Sequence, residues 1–183
     1  MGLLLSAVFR TPDFGDARTL DEAMEKVGEM GPAHLKVAAQ SRLKGMPQDP
    51  RMLRELAEAC RQLGDEGTEA RALAKLVDLV AETELPEAVR RLSRLKALEE
   101  IPNSRRVALG EKLAAQAPDE ARILFDSAVR DAAPSQMPDV LLALSNFERG
   151  RDDSRSTELA QLLVRDFPLH PAADVARKRG WAI

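Results

Sequence analysis

Residues 104–168 read SRRVALGEKLAAQAPDEARILFDSAVRDAAPSQMPDVLLALSNFERGRDDSRSTELAQLLVRDFP. Four apolar patterns of helical length run through this stretch, separated by short breakers. Pro134 and Pro168 each stand just past such a pattern, and they lie 34 residues apart. That spacing is the period of helix–turn–helix repeats, in which each hairpin hides an apolar side by leaning on the next.

Composition points the same way. Apolar residues make up 44% of the 183-residue chain, charged residues 31% and aromatic residues only 3%, with no Tyr. The core must therefore be built from Leu, Ala and Val, and the abundance of Ala, Leu, Arg, Glu and Lys favours helices over strands. With 27 basic and 30 acidic residues the net charge is −3, which supplies no global attraction to nucleic acid or to an anionic membrane. Cys60 is the sole cysteine, so no internal disulfide can form, and a reducing, cytoplasmic setting is expected. Its place on an apolar helix face makes it a small buried hydrophobe rather than a reactive thiol.

Upstream of the quoted stretch, the chain opens with MGLLLSAVF, closed by Arg10. Nine apolar residues cannot cross a bilayer, which takes about twenty. No positive charge precedes the run, and no small-residue cleavage site follows it, so it does not read as a secretory signal. Three readings stay open: a segment packed on the first helices, the trailing end of a transmembrane helix whose earlier part lies upstream, and N-myristoylation at Gly2 with Ser6 in place. The organisation read from sequence is thus an apolar segment and connector over 1–18, followed by a helical repeat domain over 19–183.

Within that domain Thr19 caps a first helix bearing Leu20, Ala23, Met24 and Val27, which ends near Gly31. Pro32 opens a second, with Leu35, Val37, Ala38, Ala39 and Leu43 apolar, stopped by Gly45. Met46 to Pro50 forms a linker in which Asp49 is the N-cap of a third helix. Leu53, Leu56, Ala57, Cys60 and Leu63 mark its buried face, and Gly64-Asp65 stops it. A fourth helix carries Ala70, Leu73, Ala74, Val77, Val80 and Ala81. A fifth, after Thr83–Pro86, carries Ala88, Leu92, Leu95 and Leu98 as far as Ile101-Pro102.

The fifth helix and the start of the next are basic: Arg90, Arg91, Arg94, Lys96, Arg105 and Arg106. Arg90, Arg91, Arg94, Arg105 and Arg106 are the candidate partner-binding residues, suited to phosphate or an acidic peptide. The competing reading is a solvated face, because Glu87, Glu99, Glu100 and Glu111 lie nearby and stacking aromatics are missing. Chemistry is not signalled elsewhere. His34 and His170 stand far apart, no Gly-rich phosphate loop or nucleophile elbow occurs, and Asp119-Glu120 and Asp152-Asp153 fit helix capping better than acid–base work. No catalytic, metal or cofactor residue is assigned, and neither an enzyme nor a small-molecule substrate is expected.

Leu109-Gly110 in one helix and Ala121, Phe125 and Ala128 in the next resemble the small and aromatic positions of tetratricopeptide repeats, with Pro134 closing the unit. Ala143, Gly150, Ala160, Leu163 and Pro168 follow the same order, and Leu56-Ala57, Gly64-Asp65 and Ala70 repeat it earlier. The first-helix aromatic sites of that family are empty here, and the segment from Pro86 to Pro102 adds a helix outside strict pairing. The resemblance implies an all-α fold, a right-handed superhelix (α-solenoid) of antiparallel hairpins. It also implies a scaffold whose groove holds a protein or peptide partner. Near the end, FPLHPAADVARKRG looks like a closing half-repeat, with Trp181 expected to fold over the end of the stack.

A second functional reading is the cytosolic helical tail of a membrane protein. GLLLSAVFR and FPLHPAADVARKR look similar to the tail of rhomboid-type intramembrane proteases, whose Ser and His motifs are absent here. Membrane contact would then run through the N-terminal apolar segment, at the cytoplasmic face. RNA binding through Arg90–Arg106 is a third class, not expected from the charge balance; it would reveal itself by steep salt dependence.

Overall fold

A computed structural model describes residues 29, 31–37 and 49–181. The apolar segment Met1–Phe9 with its acylation motif at Gly2, the connector Asp13–Ala17, the helix capped by Thr19, the second half of the helix opened by Pro32, and Met46–Gln48 lie outside the described residues. Every regular element among the described residues is helical. None of the described helices is long and apolar enough to cross a membrane. The chain divides into two compact units, Met1–Ala81 and Glu82–Ile183.

In the first unit, residues 32–37 are helical, followed by α1 (Pro50–Leu63) and α2 (Glu66–Leu76) packed as a hairpin. Asp49 starts α1 as its spacing before Pro50 predicts: the side chain accepts hydrogen bonds from the backbone N–H groups of Arg51 and Met52 at 2.9 and 3.3 Å. Gly64 ends it at φ 68°, a left-handed turn that a side chain would strain. Leu53, Leu56, Ala57 and Cys60 are buried, but Leu63, read from sequence as part of that face, is 42% exposed at the last helical residue. The fourth helical pattern also stops early. Although its apolar spacing continues to Ala81, α2 ends at Leu76, and the Leu79 and Val80 N–H groups both turn back to the Leu76 carbonyl. Val77 and Val80 are still buried by these turns, whereas Ala81 is exposed.

Asp65 joins the two helices of this unit to the 32–37 segment. It caps α2 by accepting from the Thr68 N–H at 3.1 Å and forms an ion pair with Lys36. That cation, together with the Thr68 donors, holds the Asp65 carboxyl well below the usual range, at about 2.

The second unit holds α3 (Leu85–Arg94), a 3₁₀ turn (Leu98–Glu100), α4 (Asn103–Leu113), α5 (Pro118–Arg130), α6 (Met137–Glu148), α7 (Asp153–Asp166) and α8 (Pro171–Lys178). Helices α4, α6 and α8 begin at 103, 137 and 171, the 34-residue cadence seen in the sequence. Packing follows the cadence: α4 pairs with α5 and α6 with α7. Each new first helix seats on the hairpin before it, α6 on α4 and α5, and α8 on α6 and α7. Helix α3 packs on α5.

Gly110 explains the tight pairing of α4 and α5. A Cβ there would sit 2.9 Å from Cε2 of the Phe125 ring, so only hydrogen leaves room. Phe125 is fully buried, and its ring meets that of Phe147 on α6 at 5.1 Å between centroids, tilted by 38°. One aromatic thus packs within its own hairpin and carries the core into the next; burying it contributes about 2–3 kcal/mol. The matching crossing of α6 and α7 is made by serines. Ser145 Oγ donates to the Ser156 carbonyl and Ser156 Oγ to the Ser145 carbonyl, both at 2.8 Å and both buried.

The chain end closes as its sequence suggests. His170 caps α8, its Nδ1 accepting from the Ala172 N–H at 3.2 Å. Trp181 is buried against Leu141, Ala160, Leu163, Ala172, Ala173 and Ala176. The guanidinium groups of Arg149 and Arg179 lie over its ring at 4.9 and 4.8 Å.

Candidate interaction surface

The five arginines singled out in the sequence do not form one cationic face. Arg90 lies 3.2 Å from Glu120 on α5 and 3.4 Å from Glu87, and Arg94 also reaches Glu87 at 3.4 Å. The two pairs with Glu87 sit at i,i+3 and i,i+7 on an exposed face, where water weakens them, whereas the Glu120 side chain is largely covered. Arg91 is half-buried and Arg105 exposed, and each has interactions of its own.

Arg106 departs furthest from a surface role. Only 3% of it is exposed, and its Nη1 donates to the Ser127 carbonyl at 3.0 Å, to Ser127 Oγ, and to Asp131 Oδ2 at 2.5 Å. It therefore fastens α4 to the end of α5. A buried guanidinium is tolerable only with such partners.

Above these partners is an open depression of about 540 Å³, lined by Ser93, Lys96, Leu98, Glu99, Ser127, Arg130 and Asp131. Three local events build it. Helix α3 was expected to continue through Leu98, but it stops at Arg94. The Leu95 N–H bonds to the Arg91 carbonyl, the Lys96 N–H to Ser93 and the Ala97 N–H to Leu92, each at 3.0 Å. This is a left-handed helix stop with Lys96 at φ 54°. The chain then makes the 3₁₀ turn at Leu98–Glu100, and the end of α5 supplies the remaining lining residues.

Lys96 is the only residue other than glycine at positive φ among the described residues. Where the chain turns left-handed just past α1, α6 and α8, Gly64, Gly150 and Gly180 take that position. A side chain in this conformation costs roughly 1–2 kcal/mol. With no glycine at the stop, sequence spacing could not show that α3 ends there. Among the described residues Lys96 has no ion pair, Arg130 approaches Asp131 only to 3.9 Å, and Asp131 is neutralised from below by Arg106.

A second polar constellation went unread in the sequence because its members are scattered. Glu148, at the end of α6, is fully buried, paired with Arg122 of α5 at 2.6 Å and Arg155 of α7 at 3.3 Å; Arg155 also pairs with Asp126 of α5. Glu148 and Asp126 hold the Arg122 guanidinium above its ordinary range, the hydrogen bond from Arg122 to Glu148 being the main cause. Arg151, from the α6–α7 turn, donates to the carbonyls of Ala114 and Phe147 at 2.6 and 2.7 Å. The bond to Ala114 joins neighbouring hairpins.

Chemically reactive groups are not concentrated anywhere in the described structure. Cys60 is buried, and that burial pushes its thiol above the ordinary range. No group of three His, Cys, Asp or Glu among the described residues is placed to hold a metal ion. Asp152 caps α7 by accepting from the Arg155 N–H at 3.0 Å, the capping role read for that acidic pair, while Asp153 accepts from the Gly150 N–H at 2.8 Å in the preceding turn; α5 has no side-chain cap from Asp119-Glu120. Comparison with protein-family models, curated proteins and solved structures finds no match.

Proposed function

We propose that the chain is a protein-interaction scaffold, a tetratricopeptide-like stack in a right-handed superhelix whose groove holds a peptide or protein partner. The observation that carries this reading is the 34-residue cadence of α4, α6 and α8, with α6 and α8 each seated on the hairpin before it. Such stacking sets first helices side by side and offers their outer residues to a ligand as one continuous surface. On α4 and α6 those outer residues include Ser104, Ala108, Glu111, Asp139 and Asn146, all exposed. Small and polar side chains in a row suit an extended peptide, which brings its own apolar anchors and hydrogen-bonding groups.

The test is selection of peptides from a displayed library on the immobilised full chain, followed by titration of the selected peptide. Binding that is lost in the double variant Glu111→Lys, Asn146→Lys, with the helical circular dichroism unchanged, supports the scaffold. Failure to select any sequence, or selected peptides that ignore both substitutions, rejects it.

A further inference from the structure

The depression between the end of α3 and the end of α5 carries charge that the fold does not use. Lys96, just past α3, and Arg130, at the end of α5, both line it, Leu98 supplies an apolar surface, and Ser93 adds a hydroxyl. Of its two carboxylates, Asp131 is already engaged by Arg106, leaving Glu99. Counting Arg106 beneath, three cations face two carboxylates, an excess of one positive charge. Such a site suits a single carboxylate and disfavours a phosphate dianion or a polyanion, which Glu99 and Asp131 would repel.

Lys96 adds a second, independent reason. The left-handed position it occupies is taken by glycine past α1, α6 and α8, and here the backbone accepts strain in a way that sets a lysine at the rim of a cavity. We propose that this depression is a docking pocket for the acidic side chain of a peptide partner, with Lys96 and Arg130 receiving the carboxylate and Leu98 meeting an adjacent apolar residue. The inference rests on the scaffold reading and names the chemistry of its partner.

The experiment titrates the ¹⁵N-labelled full chain with the capped tripeptide acetyl-Leu-Glu-Leu-amide, with its Gln analogue and with inorganic phosphate. The Glu peptide is expected to give saturable amide shifts at Lys96, Ala97, Leu98 and residues 127–131, and the Gln analogue to bind about tenfold more weakly. Lys96→Gly should lose about tenfold in affinity while raising the melting temperature by about 2–4 °C, which separates loss of a contact from loss of the fold. Arg130→Gln should weaken the Glu peptide and leave the Gln analogue unchanged. Equal affinity for the two peptides, unchanged affinity in Lys96→Gly, or stronger shifts with phosphate would each overturn the proposal. Library-selected peptides that depend on Glu111 and Asn146 but not on Lys96 would reject this pocket while leaving the scaffold intact; dependence on neither would reject both.

Discussion

The hairpins α4–α5 and α6–α7 share a cadence and a packing arrangement, yet their crossings are built from opposite chemistry. In the first, Gly110 vacates space for the Phe125 ring, and the contact is apolar and filled. In the second, Ser145 and Ser156 exchange side-chain-to-backbone hydrogen bonds across the same kind of close approach. Close helix approach requires small residues, but it does not require that they be apolar, provided each buried hydroxyl finds an acceptor. The two solutions differ in how they tolerate change: a filled apolar seat is sensitive to volume, and a hydrogen-bonded one to volume and to the loss of a single partner as well.

The largest expected effect follows from emptying the apolar seat. Phe125→Ala should lower stability by about 3–5 kcal/mol, since it removes both the contact under Gly110 and the ring against Phe147. Urea unfolding followed by the fluorescence of Trp181, the sole tryptophan, buried in the same unit, measures it. A loss under about 1 kcal/mol would mean that the core does not depend on this seat.

Overfilling the seat comes next. Gly110→Ala gains helix propensity of about 1 kcal/mol but meets the Phe125 ring, so a net loss of about 1–2 kcal/mol is expected. Combining it with Phe125→Leu should cost less than the sum of the single changes, because the shorter side chain vacates the contested space. Strict additivity in that cycle would break the explanation.

The serine seat should respond more gently. Ser145→Ala removes the donor to the Ser156 carbonyl but leaves the reverse bond, for a loss of about 1 kcal/mol. Ser145→Val, larger and without a donor, should cost more than Ser145→Ala when both are measured by the same unfolding assay. The reverse order would show that volume does not govern this crossing.

The smallest effect lies in the first unit, where a polar contact is exposed enough for water to compete. The Asp65 carboxyl titrates at about 2 when folded, against 3.8 ordinarily, so its stabilisation is complete above the unfolded value and disappears as pH falls through about 2. Asp65→Asn should therefore speed amide exchange at Ala70 and Leu73 at pH 6 relative to the parent, and the difference should vanish near pH 2. A difference that persists into acid would assign the effect to capping geometry rather than charge.

Much of the architecture was legible in the residues because its signals are local. Asp49-Pro50 and Gly64 bracket α1, and Leu109-Gly110 with Phe125 marks a tight crossing. The candidate site was legible only in its neighbourhood. The basic segment around Arg90–Arg106 does border the depression, but the cations lining it are Lys96 and Arg130, and Arg130 lies on another helix. Spacing along α3 pointed to a helix running through Leu98, since a left-handed stop at Lys96 leaves no glycine to announce it.

What the sequence determined by itself is therefore the helical periodicity and the caps at Asp49 and Gly64, set by interactions within a few residues along the chain, together with the 34-residue spacing of the breakers between hairpins. Only the tertiary structure decided that Arg106 is buried beneath Ser127 and Asp131, and that Glu148 is clasped by arginines from two other helices. The physical reason is that a charge can leave water only if partners arrive to replace it. Those partners lie 21 and 25 residues from Arg106, and Arg122 lies 26 residues from Glu148, separations at which no local pattern records the encounter.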